Sequence, residues 1–154
     1  MIYQPKIKEY NCRFKQVQVR LEEAPTIYTS KKVNNPQRAI EVLGEITKTF
    51  DREHFIVVNL TAKCAVINFN VVSIGGLSNA EAAPANVFKS AILSNAARVL
   101  LLHNHPSGNV DPSESDILVT QRLALAGEIL GIQVEDHVIL ANNEYYSMRE
   151  HNHF

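Results

Sequence analysis

No apolar run in this sequence is long enough to cross a membrane. A transmembrane helix needs about 18–20 consecutive apolar residues, and the hydrophobic residues, 45% of 154, are interrupted throughout by polar and charged ones. The opening string MIYQPKIKEYNCRFK has polar side chains where a signal peptide would carry its apolar segment. We therefore expect a cytoplasmic protein.

Cysteine is scarce. The two cysteines, Cys12 and Cys64, lie far apart and form no CxxC pair, so neither a disulfide framework nor a zinc finger is expected. Both are expected to be free thiols, with Cys64 inside a strand. A nucleophilic role for Cys64 is rejected, because no base lies at an informative spacing from it.

Neither sign of charge is in excess. The 15 Lys and Arg balance the 16 Asp and Glu, which leaves a formal net charge of -1. Proteins that bind phosphate backbones usually show a basic excess or stripe, and Lys31-Lys32 is the sole pair of adjacent basic residues. The composition gives no electrostatic reason to expect a nucleic-acid partner. Repeats and low-complexity tracts are also lacking, so one globular domain over residues 1–154 is predicted.

Hydrophobic periodicity predicts the first half of the fold. Loose alternation from Arg13 to Leu21 indicates an edge strand, and a polar connector follows it through residue 34. Asn35 as N-cap and Pro36 at the first helical position then open a helix. The apolar stripe of that helix consists of Ala39, Ile40, Leu43, Ile46 and Phe50. Strands at 55–60 and 66–74 form a hairpin that ends at Gly75-Gly76.

A second helix and a third buried strand follow. The helix starts at Pro84, and its predicted apolar face consists of Val87, Phe88, Ala91, Ile92 and Ala96. The strand covers residues 99–102 and leads directly into His103-Asn104-His105. A strand that is buried on both sides holds whatever follows it in a fixed position.

The last third of the chain completes the predicted sheet. The string Asp111-Pro112-Ser113-Glu114 resembles a capping box with proline at the first helical position, and the helix that it opens stops at Gly131. Strands at 132–140 and 145–148 flank an Asn142-Asn143 turn. The pattern predicts an α/β sandwich, a mixed β-sheet flanked by helices. We expect its core at residues 35–150 and a short tail at 151–154.

Three residues of this segment can share a metal ion. Side chains alternate along a strand, so His103 and His105 point to the same side. Ser113 and Asp116, three residues apart at a helix start, share one face. Two imidazoles and one carboxylate can converge on one cation and leave the fourth tetrahedral position open for water, as in catalytic zinc sites. This ligand set favours zinc, with manganese and iron left open.

The segment HNHPSGNVDPSESD, residues 103–116, resembles the JAMM signature of JAB/MPN metalloproteases, which reads HxH, seven residues, Ser, two residues, Asp. The fuller string HNHPSG is similar to the RadC family, as are REHF at 52–55, GIQVEDHVI at 131–139 and YSMRE at 146–150. The resemblance runs from about residue 36 to residue 150. It implies a cytidine-deaminase-like sandwich and a metal held by His103, His105 and Asp116.

The resemblance also implies catalytic roles. Glu53, before the first core strand, would act as the general base on the zinc-bound water, and Ser113 would hydrogen-bond that water or the developing oxyanion. JAMM relatives of known chemistry cleave peptide or isopeptide bonds. The resemblance therefore implies a zinc-dependent metallopeptidase that acts on a peptide or a protein conjugate. The substrate and the oligomeric state are not named by any pattern in the sequence.

Two other function classes stay open. RadC proteins carry a DNA-repair label, so the alternative is a DNA-repair-associated accessory or nucleic-acid-binding module with a non-catalytic metal site. Balanced charge argues against it, as does the lack of any glycine, and hence of a helix-hairpin-helix GxG, before Asn35. The third class is an inactive MPN scaffold, but such scaffolds typically lack the ligands that this chain keeps. Pro84-Ala85-Asn86 replaces the family's common Pro-Arg-Glu, so substrate contacts are expected to differ.

Each remaining site candidate has a plainer interpretation. Glu53 could be a surface glutamate beyond a helix, and Ser113 could merely favour a helix N-terminus. Asp136-His137 could steer a ligand imidazole, or could be a hydrogen-bonded strand pair near the sheet edge. His54 is interpreted as structural. The two C-terminal histidines, His151 and His153, are predicted to be solvent-exposed in a fraying tail.

Overall fold

The computed structural model describes residues 17–22, 36–75 and 82–154. Its elements, in chain order, are α1 (Pro36–Thr47), β1 (His54–Leu60), β2 (Val66–Ile74), α2 (Pro84–Leu93), β3 (Arg98–Asn104), α3 (Glu114–Leu130), β4 (Gln133–Ala141) and β5 (Glu144–Ser147). The strands form one sheet in the order β2-β1-β3-β4-β5, in which β3 and β4 run parallel and the other neighbours antiparallel. The predicted α/β class with a mixed sheet is confirmed.

Helices cover both faces of the sheet because the central strands are apolar on both sides. In β1, Phe55 and Val57 pack into a cluster with residues of α2 and α3. Their neighbours Ile56 and Val58 face the other way and pack with residues of α1. Burying one such side chain contributes about 1.5–3 kcal/mol. The strand that carries His103 and leads into His105, β3, lies between β1 and β4 in the middle of this core.

Two predictions near the N-terminus and the hairpin were wrong. Residues 17–22 form no strand, and Val17 and Val19 are 79% and 71% exposed. Alternation alone does not make a strand, because a strand also needs a partner to complete its backbone hydrogen bonds. Cys64 lies in the turn between β1 and β2 with a φ of 58°, not in a strand. Residues 13–16, Cys12, Lys31-Lys32, Asn35 and Gly76 lie outside the described residues.

The second helix is shorter than its apolar pattern suggested. α2 ends at Leu93, so Ala96 lies beyond it, although Ala96 is still buried in the core. Ile92 is 53% exposed and does not belong to the buried face. Among the described residues, no helix combines the length and the apolar character that crossing a bilayer requires.

The predicted fraying of the C-terminal tail was wrong. His151 is exposed, as predicted, but its ring stacks on Tyr146 at a centroid distance of 4.0 Å. His153 is partly buried, and its Nε2 lies 2.9 Å from the Tyr146 hydroxyl. Phe154 packs against the core cluster, and the Arg149 guanidinium lies 4.8 Å above its ring. These contacts hold the last residues against the protein.

Candidate metal centre

The histidine pair lies where β3 leaves the core. His103 is within the strand and 1% exposed, whereas His105 follows the strand end and is partly exposed. The backbone N–H of His105 donates to the carbonyl of Leu140 at 2.8 Å, which continues the alignment with β4 past the end of β3. The His105 Nδ1 lies 2.8 Å from the Asn109 carbonyl, which can only accept. Nδ1 therefore carries a proton, and Nε2 is the atom that His105 directs at the site.

The carboxylate comes from the first turn of α3. The N-cap is Ser113, and Asp116 occupies N3 in a capping box. The predicted cap, with Pro112 as the first helical residue, was therefore wrong, because Pro112 precedes the N-cap. The backbone N–H and the Oγ of Ser113 both donate to Asp116 Oδ2, at 2.8 and 2.6 Å. These two bonds leave Asp116 Oδ1 as the oxygen available to a cation.

The three side chains converge. His103 Nε2 and His105 Nε2 lie 2.9 Å apart. The two distances to the carboxylate are 3.5 Å from His103 Nε2 to Oδ1 and 3.6 Å from His105 Nε2 to Oδ2 of Asp116. Ligand atoms around a tetrahedral zinc with bonds of about 2.0–2.1 Å lie about 3.3 Å apart. His103, His105 and Asp116 could thus bind one metal ion between them.

The protonation states suit a cation. Burial lowers the pKa of His103 to about 4, so this imidazole is neutral at neutral pH. For Asp116, burial opposes ionisation, but the hydrogen bond with His105 and the bonds from Ser113 lower its pKa below the usual value. The hydrogen bond with Asp116 raises the pKa of His105. A cation can bind His105 Nε2 only when that nitrogen carries no proton, so a bound cation would displace a proton from the hydrogen bond between His105 and Asp116.

The side chains of the predicted Asp136-His137 pair point to different parts of the structure. His137 is fully buried, and its Nε2 lies 2.8 Å from His103 Nδ1. The carboxylate of Asp136 accepts from the backbone N–H of His137 at 2.7 Å, as in the hydrogen-bonded strand pair that was the alternative prediction, and also from Ser147 Oγ at 2.6 Å and the backbone N–H of Arg149 at 3.0 Å. Only His137 thus reaches a ligand imidazole, while Asp136 braces the turn after β5.

Glu53 lies directly before β1 and lines the same cleft as His105, Ser113 and Asp116. Its backbone is held on both sides by Asn104, the residue between the two histidines. Asn104 Nδ2 donates to the Arg52 carbonyl at 3.1 Å, and Asn104 Oδ1 accepts from the His54 N–H at 2.8 Å.

Further contacts hold Glu53 and His54 in place. The Glu53 carbonyl accepts from the Gly75 N–H at 2.8 Å. The His54 ring stacks on Phe50 at a centroid distance of 3.9 Å, which agrees with a structural role. The sequence motif singled out the histidines on either side of Asn104 but gave no signal for Asn104 itself.

Replacing Asn104 with alanine is expected to lower the free energy of unfolding by about 1–3 kcal/mol, because two backbone groups lose their partner. The measurement is urea unfolding of the metal-free protein. The control is Asn143→Ala, at an exposed turn position, which should cost less than about 0.5 kcal/mol. Equal losses in both variants would show that the Asn104 bonds contribute nothing specific.

Comparison with known proteins adds the family context. A family model described as "RadC-like JAB domain" matches residues 33–153. A UPF0758 protein of Rubrobacter xylanophilus is 54% identical over 119 residues, which are 77% of this chain and 52% of that protein. UPF0758 proteins of Desulfitobacterium hafniense and Moorella thermoacetica are 45% and 42% identical over 118 and 120 residues, covering 77% and 78% of this chain and 52% of each relative. The chain spans about half the length of the curated relatives it matches.

Proposed function

Because the chain belongs to the RadC-like JAB domain family, we propose that it is a zinc-dependent hydrolase that cleaves peptide or isopeptide bonds. The observation that carries this proposal is the convergence of His103, His105 and Asp116 beside a cleft that also contains Glu53. Three protein ligands next to an open cleft are typical of catalytic zinc, whereas structural zinc has four.

Zinc is the proposed metal because its donors would be two imidazole nitrogens and one carboxylate oxygen, a borderline set. His103 and His105 would bind through Nε2, and Asp116 through Oδ1. A zinc ion bound there supplies a water acidified to a pKa of about 7 and polarises the substrate carbonyl. In this proposal, the proton transfers and the hydrogen bonds of the reaction are made by side chains of the protein.

Glu53 is the proposed general base. Glu53 lines the cleft with His105 and Asp116, and the two hydrogen bonds of Asn104 fix the backbone on either side of it. In the proposed reaction, Glu53 takes a proton from the attacking water and gives it to the leaving nitrogen. This transfer completes the cleavage without any other titratable group.

Ser113 is proposed to act first on Asp116. Its hydroxyl proton is directed at Asp116 Oδ2, while Oδ1 lies 3.5 Å from His103 Nε2. A serine hydroxyl has one proton to donate. Ser113 can therefore donate a hydrogen bond to a developing oxyanion only if its hydroxyl first gives up the hydrogen bond to Asp116. Both roles are available to Ser113 because it lines the cleft.

The proposed substrate is a peptide or a protein conjugate. The cleft beside the ligands is lined by small polar side chains, among them Ser107, Asn109 and Ser115. Such groups can hydrogen-bond the backbone of an extended peptide.

The test of this proposal is cleavage of a mixed-sequence peptide library and a lysine-linked isopeptide library, followed by mass spectrometry. The protein is assayed after chelation and again after zinc is added back. We expect cleavage to disappear with the metal and to return with it. A folded, zinc-loaded protein that cleaves neither library, or a chelated one that cleaves as well as the loaded one, would refute the proposal.

A further inference from the structure

We infer that Thr120 and His137 are positioning residues that set the tautomer of His103, so that His103 presents the lone pair of Nε2 to the metal. The inference rests on the proposed metal site but not on hydrolysis. It concerns two side chains that bind no metal and touch no substrate. They connect two of the three ligands through the interior of the protein.

A continuous chain of buried hydrogen bonds carries this inference. Thr120 Oγ1 donates to the backbone carbonyl of Asp116 at 2.6 Å. The same oxygen lies 2.6 Å from His137 Nδ1, and His137 Nε2 lies 2.8 Å from His103 Nδ1. Thr120, His137 and His103 are all at most 1% exposed, so no solvent can substitute for any of these bonds.

The number of available protons fixes which atom donates in each of these hydrogen bonds. The Thr120 hydroxyl has one proton, and its donation to the Asp116 carbonyl leaves Oγ1 to accept from His137 Nδ1–H. A fully buried imidazole with no carboxylate partner stays neutral, so His137 Nε2 has a lone pair and must accept. His103 Nδ1 therefore carries the proton, and His103 Nε2 is left with its lone pair.

The opposite direction is disfavoured by the same geometry. If the Thr120 proton turned toward His137, the Thr120 hydroxyl oxygen and the Asp116 carbonyl oxygen would be 2.6 Å apart with no proton between them. His103 would then carry its proton on Nε2, 2.9 Å from His105 Nε2. That proton would occupy the position where a metal has to bind.

The surroundings hold the chain in place. The Phe55 ring meets His137 edge-on at a centroid distance of 5.5 Å. Leu101 and His137 are register partners in the parallel β3–β4 pair, which places His137 beside the strand that carries His103. Thr120 is one helical turn beyond Asp116 in α3. The hydrogen bonds from Thr120 through His137 thus connect α3 to β4 and orient the His103 ring.

The test compares Thr120→Val, which removes the hydroxyl at nearly constant shape, with Thr120→Ser, which keeps it. Ring-nitrogen NMR of the metal-free protein reports which nitrogen of His103 carries the proton. We expect Nδ1–H in the wild type and in Thr120→Ser, and a shift toward Nε2–H in Thr120→Val. Zinc affinity should fall about 10–100-fold in Thr120→Val alone, as when the hydrogen-bond partner of a metal ligand is lost.

The wild-type spectrum decides the inference even if a variant folds poorly. A wild-type His103 protonated on Nε2 would overturn it, as would a Thr120→Val protein that keeps both the tautomer and the zinc affinity. Neither readout uses a substrate. A protein that shows the expected tautomers and affinities but cleaves no peptide would therefore refute the proposed hydrolase and leave this inference standing.

Discussion

Zinc affinity is expected to fall more than about 100-fold when His105 is replaced by alanine. This loss is larger than the one expected when only the hydrogen-bond partner of a metal ligand is removed. In the proposed site His105 would supply one of the three protein ligand atoms, and its removal would leave only two. His105 is preferable to His103 for this experiment because it is partly exposed, so its removal leaves the core intact. Competition with a chromophoric chelator measures the affinity.

The matched control is His151→Ala. His151 is an exposed histidine that stacks on Tyr146 and has no contact with the ligand cluster. It should bind zinc as the wild type does. A similar loss in both variants would mean that zinc binds to surface histidines, and unchanged binding in His105→Ala would exclude His105 as a ligand.

Hydrolysis is expected to fall by at least about 100-fold in Glu53→Gln, while zinc affinity stays within about twofold of the wild type. The substitution keeps the shape of the side chain and removes its ability to accept a proton, and general acid–base catalysis contributes about 10²–10⁴-fold. Glu53 is not among the three ligands, so the metal should remain. The measurements are cleavage of a peptide identified from the library and zinc titration.

Glu128→Gln is the control for this substitution, because Glu128 lies exposed on α3. It should cleave at the wild-type rate. Retained hydrolysis in Glu53→Gln would exclude Glu53 as the general base. Loss of zinc together with hydrolysis would assign Glu53 to the metal instead.

The ligand cluster could be predicted because its geometry is set locally. His103 and His105 share a side through the two-residue period of a strand, and Asp116 is placed by the helix that follows within a few residues. The strand hairpin could be predicted for a similar reason, since a short turn separates its two apolar runs. In the structure the two hairpin strands, β1 and β2, lie within one residue of their predicted bounds, whereas β3 runs two residues beyond its predicted end.

The supporting residues could not be predicted because their contacts depend on tertiary structure. His137 lies 34 positions after His103, and the contact depends on the parallel register of β3 and β4. Thr120 resembles any polar residue in a helix, and nothing in its local sequence indicates a buried acceptor for His137. Asn104 acts across the sheet on the segment that carries Glu53.

The boundary errors have local physical causes. The α3 cap was placed too early because proline is common at the first helical position, whereas Asp116 at N3 pairs with Ser113 in the box. Residues 17–22 alternate in the manner of a strand but are exposed and form no strand in the structure.

The most direct test of the metal site is anomalous diffraction at the zinc edge from crystals grown with zinc. We predict one strong peak about 2.0–2.2 Å from His103 Nε2, His105 Nε2 and an Asp116 carboxylate oxygen. The absence of a peak among these three side chains in zinc-containing crystals, or a peak held by other residues, would contradict the proposed site.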